Sequence, residues 1–89
     1  MKLNFPNPSR SFEETSKRVL FWGYDKVIEV SFFVEAEALQ KLFPALGSTE
    51  AGFLEAFDSA RKRIYEVAEK AYVHGTKGSF SYILAAKDF

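Results

Sequence analysis

The sequence predicts an α+β fold: a three-stranded antiparallel sheet in the order β-β-α-α-β, a short and a long helix packed on one face, and an ordered N-terminal arm. Three observations carry this expectation. Two runs of strand formers, Arg18 to Trp22 and Val27 to Val34, flank Gly23-Tyr24-Asp25-Lys26, whose residues suit a turn. From Glu35 the apolar residues change from alternation to helical spacing and keep that spacing through two segments. Alternation then returns at Ser79 to Ala86, as a third strand.

Residues 1 to 16 form the arm. Phe5-Pro6-Asn7-Pro8 favours extended or turn geometry, and Ser9, Ser11, Thr15 and Ser16 add loop character. Leu3, Phe5 and Phe12 are the expected anchors to the body of the domain. In the hairpin, closure by a two-residue or a four-residue loop gives one register: Phe21 faces Ile28, Leu20 faces Glu29 and Val19 faces Val30. One face then carries Val19, Phe21, Ile28, Val30 and Phe32, a core face. The other carries Arg18, Leu20, Trp22, Val27, Glu29, Ser31 and Phe33, too apolar for a plain wet face and too polar for a second core.

A short helix follows from Glu35 to Phe43, with Ala36, Leu39, Leu42 and Phe43 on one side and acids in its first turn, where the dipole favours them; Pro44 and Gly47 end it. The longest element starts from a cap at Ser48 or Thr49. Its apolar positions Phe53, Phe57, Ala60, Ile64, Val67 and Ala71 alternate spacings of four and three, and Gly75 is read as its left-handed stop. Gly78 then releases the chain into the third strand, with Phe80, Tyr82 and Leu84 on one face. Two successive helices would reverse the chain twice and return that strand antiparallel. A helix over residues 49 to 74 would span about 39 Å, longer than the ~31 Å diameter expected of a compact chain of this size. It must kink, with Gly52 or Ser59 as candidates, or pack its end on another chain.

Composition narrows the function. In 89 residues there is room for one domain, residues 1 to 89, with roughly 60 to 65% of the unfolded surface buried. The sequence has no cysteine, which excludes disulfides, a thiolate nucleophile and cysteine-ligated metal centres. Met1 to Pro6 lacks the apolar stretch of a signal peptide, and no run reaches the ~20 apolar residues of a membrane span, so the expected location is cytoplasmic, off the membrane. Twelve Lys and Arg balance twelve Asp and Glu, so no net field draws the protein to nucleic acid or anionic lipid.

The chemistry-bearing residues are dispersed. His74, the single histidine, sits in the last turn of the long helix, where a cation is stabilising. Glu66 and Glu69 fit a solvated helix face better than a metal site. Neither Gly47-Ser48-Thr49-Glu50-Ala51-Gly52 nor Gly75-Thr76-Lys77-Gly78 matches a phosphate-binding pattern. Arg61-Lys62-Arg63 is splayed around its helix by about 100° per residue and makes no patch. No catalytic, cofactor-binding or metal-ligating residue is assigned, and no cofactor is expected.

Ten Phe, four Tyr and one Trp suit a small core, and Phe21, Phe32, Phe53, Phe57, Phe80 and Tyr82 are assigned to it. Trp22, Phe33, Tyr65 and Tyr72 fall out of phase with the main stripes. The interaction surface is therefore placed on the mixed hairpin face, at Leu20, Trp22 and Val27, with Ile83 extending it if the third strand aligns. An alternative ligand surface for nucleic acid or a small anion centres on Arg18 and Tyr24 beside Trp22, with Arg10 and Lys17 as further cations.

The order of these pieces resembles a small bacterial family, domain of unknown function 1488. The resemblance is carried by Asn4-Phe5-Pro6 near the start, Phe12-Glu13, Val19-Leu20-Phe21-Trp22-Gly23, the strand-to-helix run Phe33 to Leu39, and Arg63-Ile64, and it covers essentially the whole chain. It implies a bacterial cytosolic origin and a stand-alone one-domain habit, and supplies no activity, cofactor or binding residue. The expected role is association without catalysis, as a homodimer or an accessory to a protein partner. Nucleic acid is disfavoured as a partner, and no residue pair makes an acid–base or nucleophile constellation.

Overall fold

The architecture follows from a computed structural model, which describes residues 3–75 and 80–89. Among these residues, four strands form one mixed sheet in the spatial order β1 (Ser11–Glu13), β2 (Arg18–Asp25), β3 (Ile28–Glu35) and β4 (Ser81–Leu84). Three α-helices, α1 (Ala36–Leu42), α2 (Glu50–Ser59) and α3 (Arg61–His74), pack on one face, and a 3-10 turn at Ala86–Asp88 closes the chain against α1.

The hairpin forms where strand propensity predicts it, but its turn lies at Lys26-Val27, so Asp25 pairs with Ile28 and Phe21 with Phe32. Phe21 was expected opposite Ile28, so the register is shifted by four residues. An even shift preserves which side chains face the core. Val19, Phe21, Val30 and Phe32 are all buried, Val34 joins them, and Ile28 moves to the turn end of the hairpin, where it is 45% exposed. The reason is Gly23, which stays in the strand: a Cβ there would lie 2.8 Å from the Phe5 ring and 3.3 Å from Phe32. Its bare backbone lets the arm lie down on the sheet. Lys26 closes the turn with φ 58°, in the left-handed region.

The sheet is neither three-stranded nor wholly antiparallel, which corrects the expectation on both counts. Part of the arm is itself a strand, because Ser11, Phe12 and Glu13 pair antiparallel with Leu20, Val19 and Arg18. β4 runs parallel to β3, with Ser81 beside Ser31 and Leu84 beside Val34. Parallel pairing requires a helical crossover that returns the chain to the starting end of β3. α2 and α3 together make that return. The sequence reading already takes them as one long helix, and broken only at Ala60 they still make one traverse. The antiparallel expectation fails at the short helix instead: α1 is seven residues long and packs against the 3-10 turn that follows β4, so it stays at that end of the sheet and adds no second reversal. The reading of a release at Gly78 and a strand start at Ser79 falls outside the described residues. Phe80, assigned to the core, is 55% exposed.

The break at Ala60, with φ −106° and ψ 14°, lies one residue after the Ser59 kink candidate. The molecule is also elongated, 36 × 24 × 24 Å, so the helical segments fit its long axis without overhang. Helix length is thus no sign of a second chain. Thr49 caps α2, its hydroxyl accepting from the Gly52 amide at 3.0 Å. Gly75 ends α3 in an extended conformation (φ −80°, ψ 177°), not a left-handed one. A Cβ there would lie 2.4 Å from the Tyr82 ring, so close packing against β4 is what requires glycine.

The core is an aromatic stack between sheet and helices. Phe21 lies 5.3 Å from Phe32 and 5.1 Å from Phe57 of α2, and Phe12 of β1 stacks on Phe53 at 5.3 Å. The arm anchors act as expected. Leu3 is buried, Asn4 and Tyr24 exchange two backbone hydrogen bonds of 2.9 and 2.8 Å, and Phe5 stacks on Tyr65 of α3 at 4.0 Å. Tyr65 and Tyr72, out of phase in sequence, thereby belong to the helix–sheet side.

Candidate interaction surface

The buried strand side chains Val19, Phe21, Val30, Phe32, Val34 and Leu84 point to the helices, so alternation sends the intervening residues to the opposite face. The pairing registers arrange these in four cross-strand rows. Ser11, Leu20, Phe33 and Ile83 form the longest, and it is apolar from β2 to β4. Next to it lies Trp22 with Ser31 and Ser81. Glu13, Arg18 and Glu35 close one end of the face, and Tyr24 with Glu29 the other. Among the described residues, none of the helices packs on this side.

Three of the four surface residues predicted from sequence, Leu20, Trp22 and Ile83, come together here. Leu20 and Trp22 are half-buried by their neighbours in the sheet, and Ile83 is 55% exposed. Val27 does not join them. It occupies the turn and is 95% exposed beyond the last row. Phe33, at the centre of the apolar row, completes the patch; its place in the strand alternation is the signal that finds it.

The alternative ligand residues are engaged inside the chain. Arg18 donates from Nε to Glu13 Oε1 at 2.7 Å and lays its guanidinium 4.0 Å over the Phe33 ring, a cation–π contact that roofs part of the apolar row. Tyr24 donates its hydroxyl to Glu29 Oε2 at 2.9 Å, and this bond to a carboxylate raises the phenol above its ordinary range. Arg10 sits on the other side of the molecule, gripping Asp58 with bonds of 3.0 and 2.8 Å. Arg61 adds a 2.7 Å bond to the same carboxylate and a 2.6 Å bond to the Tyr65 hydroxyl. These donors, Arg10 first, hold Asp58 below the usual carboxylate range. The cluster ties the arm to the α2–α3 break. It is a structural clamp in which two guanidinium groups share one carboxylate.

Among the described residues no three His, Asp or Glu side chains come together to hold a metal ion. A shallow depression along the exposed side of α3 is lined by Arg63, Glu66, Glu69, Lys70, Val73 and His74, alternating charges of an ordinary solvated helix. Among the described residues no helix is long and apolar enough to cross a membrane.

Comparison with known proteins agrees with the geometry in offering a fold and no reaction. The profile of the family described as Protein of unknown function (DUF1488) matches residues 3–84. The chain belongs to the DUF1488 family. A crystal structure of a DUF1488 protein of unknown function from Shewanella loihica PV-4 superposes with a TM-score of 0.74, covering 90% of each chain at 16% sequence identity. At that identity the likeness is one of fold. No curated protein matches the sequence. The match runs from Leu3 in the arm to Leu84 at the end of β4, so the family's shared region contains the whole sheet and its open face.

Proposed function

We propose that this DUF1488 chain is a non-catalytic association module that pairs with a second copy of itself through the open face of its sheet. The observation that supports this is the apolar row Leu20–Phe33–Ile83, flanked by Trp22, on a face that none of the helices covers. A half-apolar sheet face gains from burial at ~25 cal/mol per Å² of apolar area, and aromatic side chains are the usual anchors of such contacts. The face is small. β2 and β3 are eight residues each, about 27 Å long, so the outer surface is on the order of 400 Å² in projection, below the ~800 Å² per partner of a standard interface. The pairing is accordingly weak and reversible.

Light scattering across concentration is the test. The mass should rise from that of one chain, 10.1 kDa, toward twice that value between about 10 µM and 1 mM. Trp22→Ala should move this rise to higher concentration while far-ultraviolet dichroism is retained. A wild-type chain that stays monomeric throughout, or a Trp22→Ala chain that simply unfolds, overturns the assignment. A nucleic-acid role through Arg18 and Tyr24 finds no comparable support, since both side chains are held by acids, Glu13 and Glu29.

A further inference from the structure

Two sheet faces can meet about a two-fold axis in the plane between them in two ways, with the axis running along the strands or across them. The charged ends of the face distinguish these. An axis across the strands lays β3 on the partner's β3 and sets Glu35 against the partner's Glu29, acid against acid. It also leaves Arg18 opposite a tyrosine. An axis along the strands, between β2 and β3, lays β2 on the partner's β3 with the rows in register. Arg18 then faces the partner's Glu35, Leu20 the partner's Phe33, Trp22 the partner's Ser31 and Tyr24 the partner's Glu29. These are the same residue pairs that already sit side by side within one sheet.

We infer that two copies pair about the axis along the strands, with Arg18 and Glu35 as the residues that determine the pairing. This rests on the association through the open face proposed above. Arg18 is equipped for the role: its bond to Glu13 runs through Nε, leaving the terminal nitrogens as donors for a second carboxylate, and its stacking on Phe33 holds the guanidinium over the face. Two-fold symmetry places two such exchanges at one end of the contact. Each arginine then stands between its own Glu35 and its partner's, so the charges alternate. Complementary end charges of this kind set orientation and reject misaligned pairings more than they add affinity.

Charge reversal tests it. Arg18→Glu and Glu35→Arg, each alone, place like charges opposite one another twice in every pair, so each should remain monomeric at concentrations where the wild type dimerises. Mixed in equal amounts, the two variants make both contacts opposite in sign again, and native mass spectrometry should find the mixed dimer and neither homodimer. Glu29→Arg serves as the comparison, because it would matter most for the crosswise axis. Should a reversal lose its dichroism, Arg18→Gln and Glu35→Gln are to replace it, each weakening the dimer by about tenfold. If the wild type dimerises but the single reversals dimerise equally well, or the mixture fails to pair, the strand-wise axis is wrong and the open-face association stands. If the wild type shows no dimer, both fall together.

Discussion

Phe21 sits where the three layers of aromatic contact converge, buried between Phe32 beside it in the sheet and Phe57 above. Truncation there leaves a cavity that neighbouring rings fill only in part, so Phe21→Ala is expected to cost on the order of 3 to 5 kcal/mol. Denaturant melts should register most of the protein's stability lost; a change below about 1 kcal/mol would contradict the packing. Lys26 makes the opposite prediction. Its φ of 58° belongs to a region that costs a β-carbon-bearing residue about 1 kcal/mol, and its side chain is exposed. Lys26→Gly is therefore expected to raise stability by up to about 1 kcal/mol, less what glycine loses in backbone entropy. Melts of the two chains under one condition decide it.

At the scale of elements, what was legible in the sequence is what periodicity alone determines. Alternation places Val19, Phe21, Val30 and Phe32 inward and Leu20, Trp22 and Ile83 outward, and those assignments survive because the register error is even. The turn position was not legible, since Gly23 reads locally as a turn residue while its real role is to admit Phe5, eighteen residues earlier in the chain, onto the sheet. That displacement removes Val27 from the candidate surface. The direction of β4 was hidden in α1, whose spacing reads as a helix but whose seven residues stay at one end of the sheet and do not carry the chain back across it. The break at Ala60, a residue with no helix-breaking chemistry of its own, lies beside the Asp58 clamp, which gives an element-scale prediction. Because Asp58 has a lowered folded-state pKa, it adds stability that is fully present above its unfolded value near 4 and is lost as pH falls through the folded value. Wild type should therefore be more stable than Asp58→Asn at neutral pH, and the gap should close in the acid range below about pH 4. A gap independent of pH would mean that the carboxylate's charge is not what grips Arg10 and Arg61.

For the molecule as a whole, the balance of twelve basic and twelve acidic residues is only half of the electrostatic picture, since a neutral protein can still carry a basic stripe. The structure places the cations otherwise. Arg10 and Arg61 share Asp58 on the helix side, and Arg18, which lies on the open face, is paired with Glu13 within the chain. The bases of Arg61-Lys62-Arg63 are separated by the helix, with Arg61 turned in over Phe57 at 4.8 Å while Lys62 and Arg63 are exposed. A strand of phosphates laid across the open face would meet Glu13, Glu35 and Glu29 at its two ends, and Arg18, the arginine of that face, is already paired with Glu13 and lies beside Glu35. Affinity for single-stranded or duplex probes should accordingly stay within or below the ~10⁻⁴ to 10⁻⁶ M of non-specific binding at physiological salt. Fluorescence anisotropy over a salt series measures this directly. A submicromolar complex whose affinity falls steeply with salt would show that phosphates displace the internal carboxylates, and the open face would then have to be assigned to nucleic acid instead of a second copy.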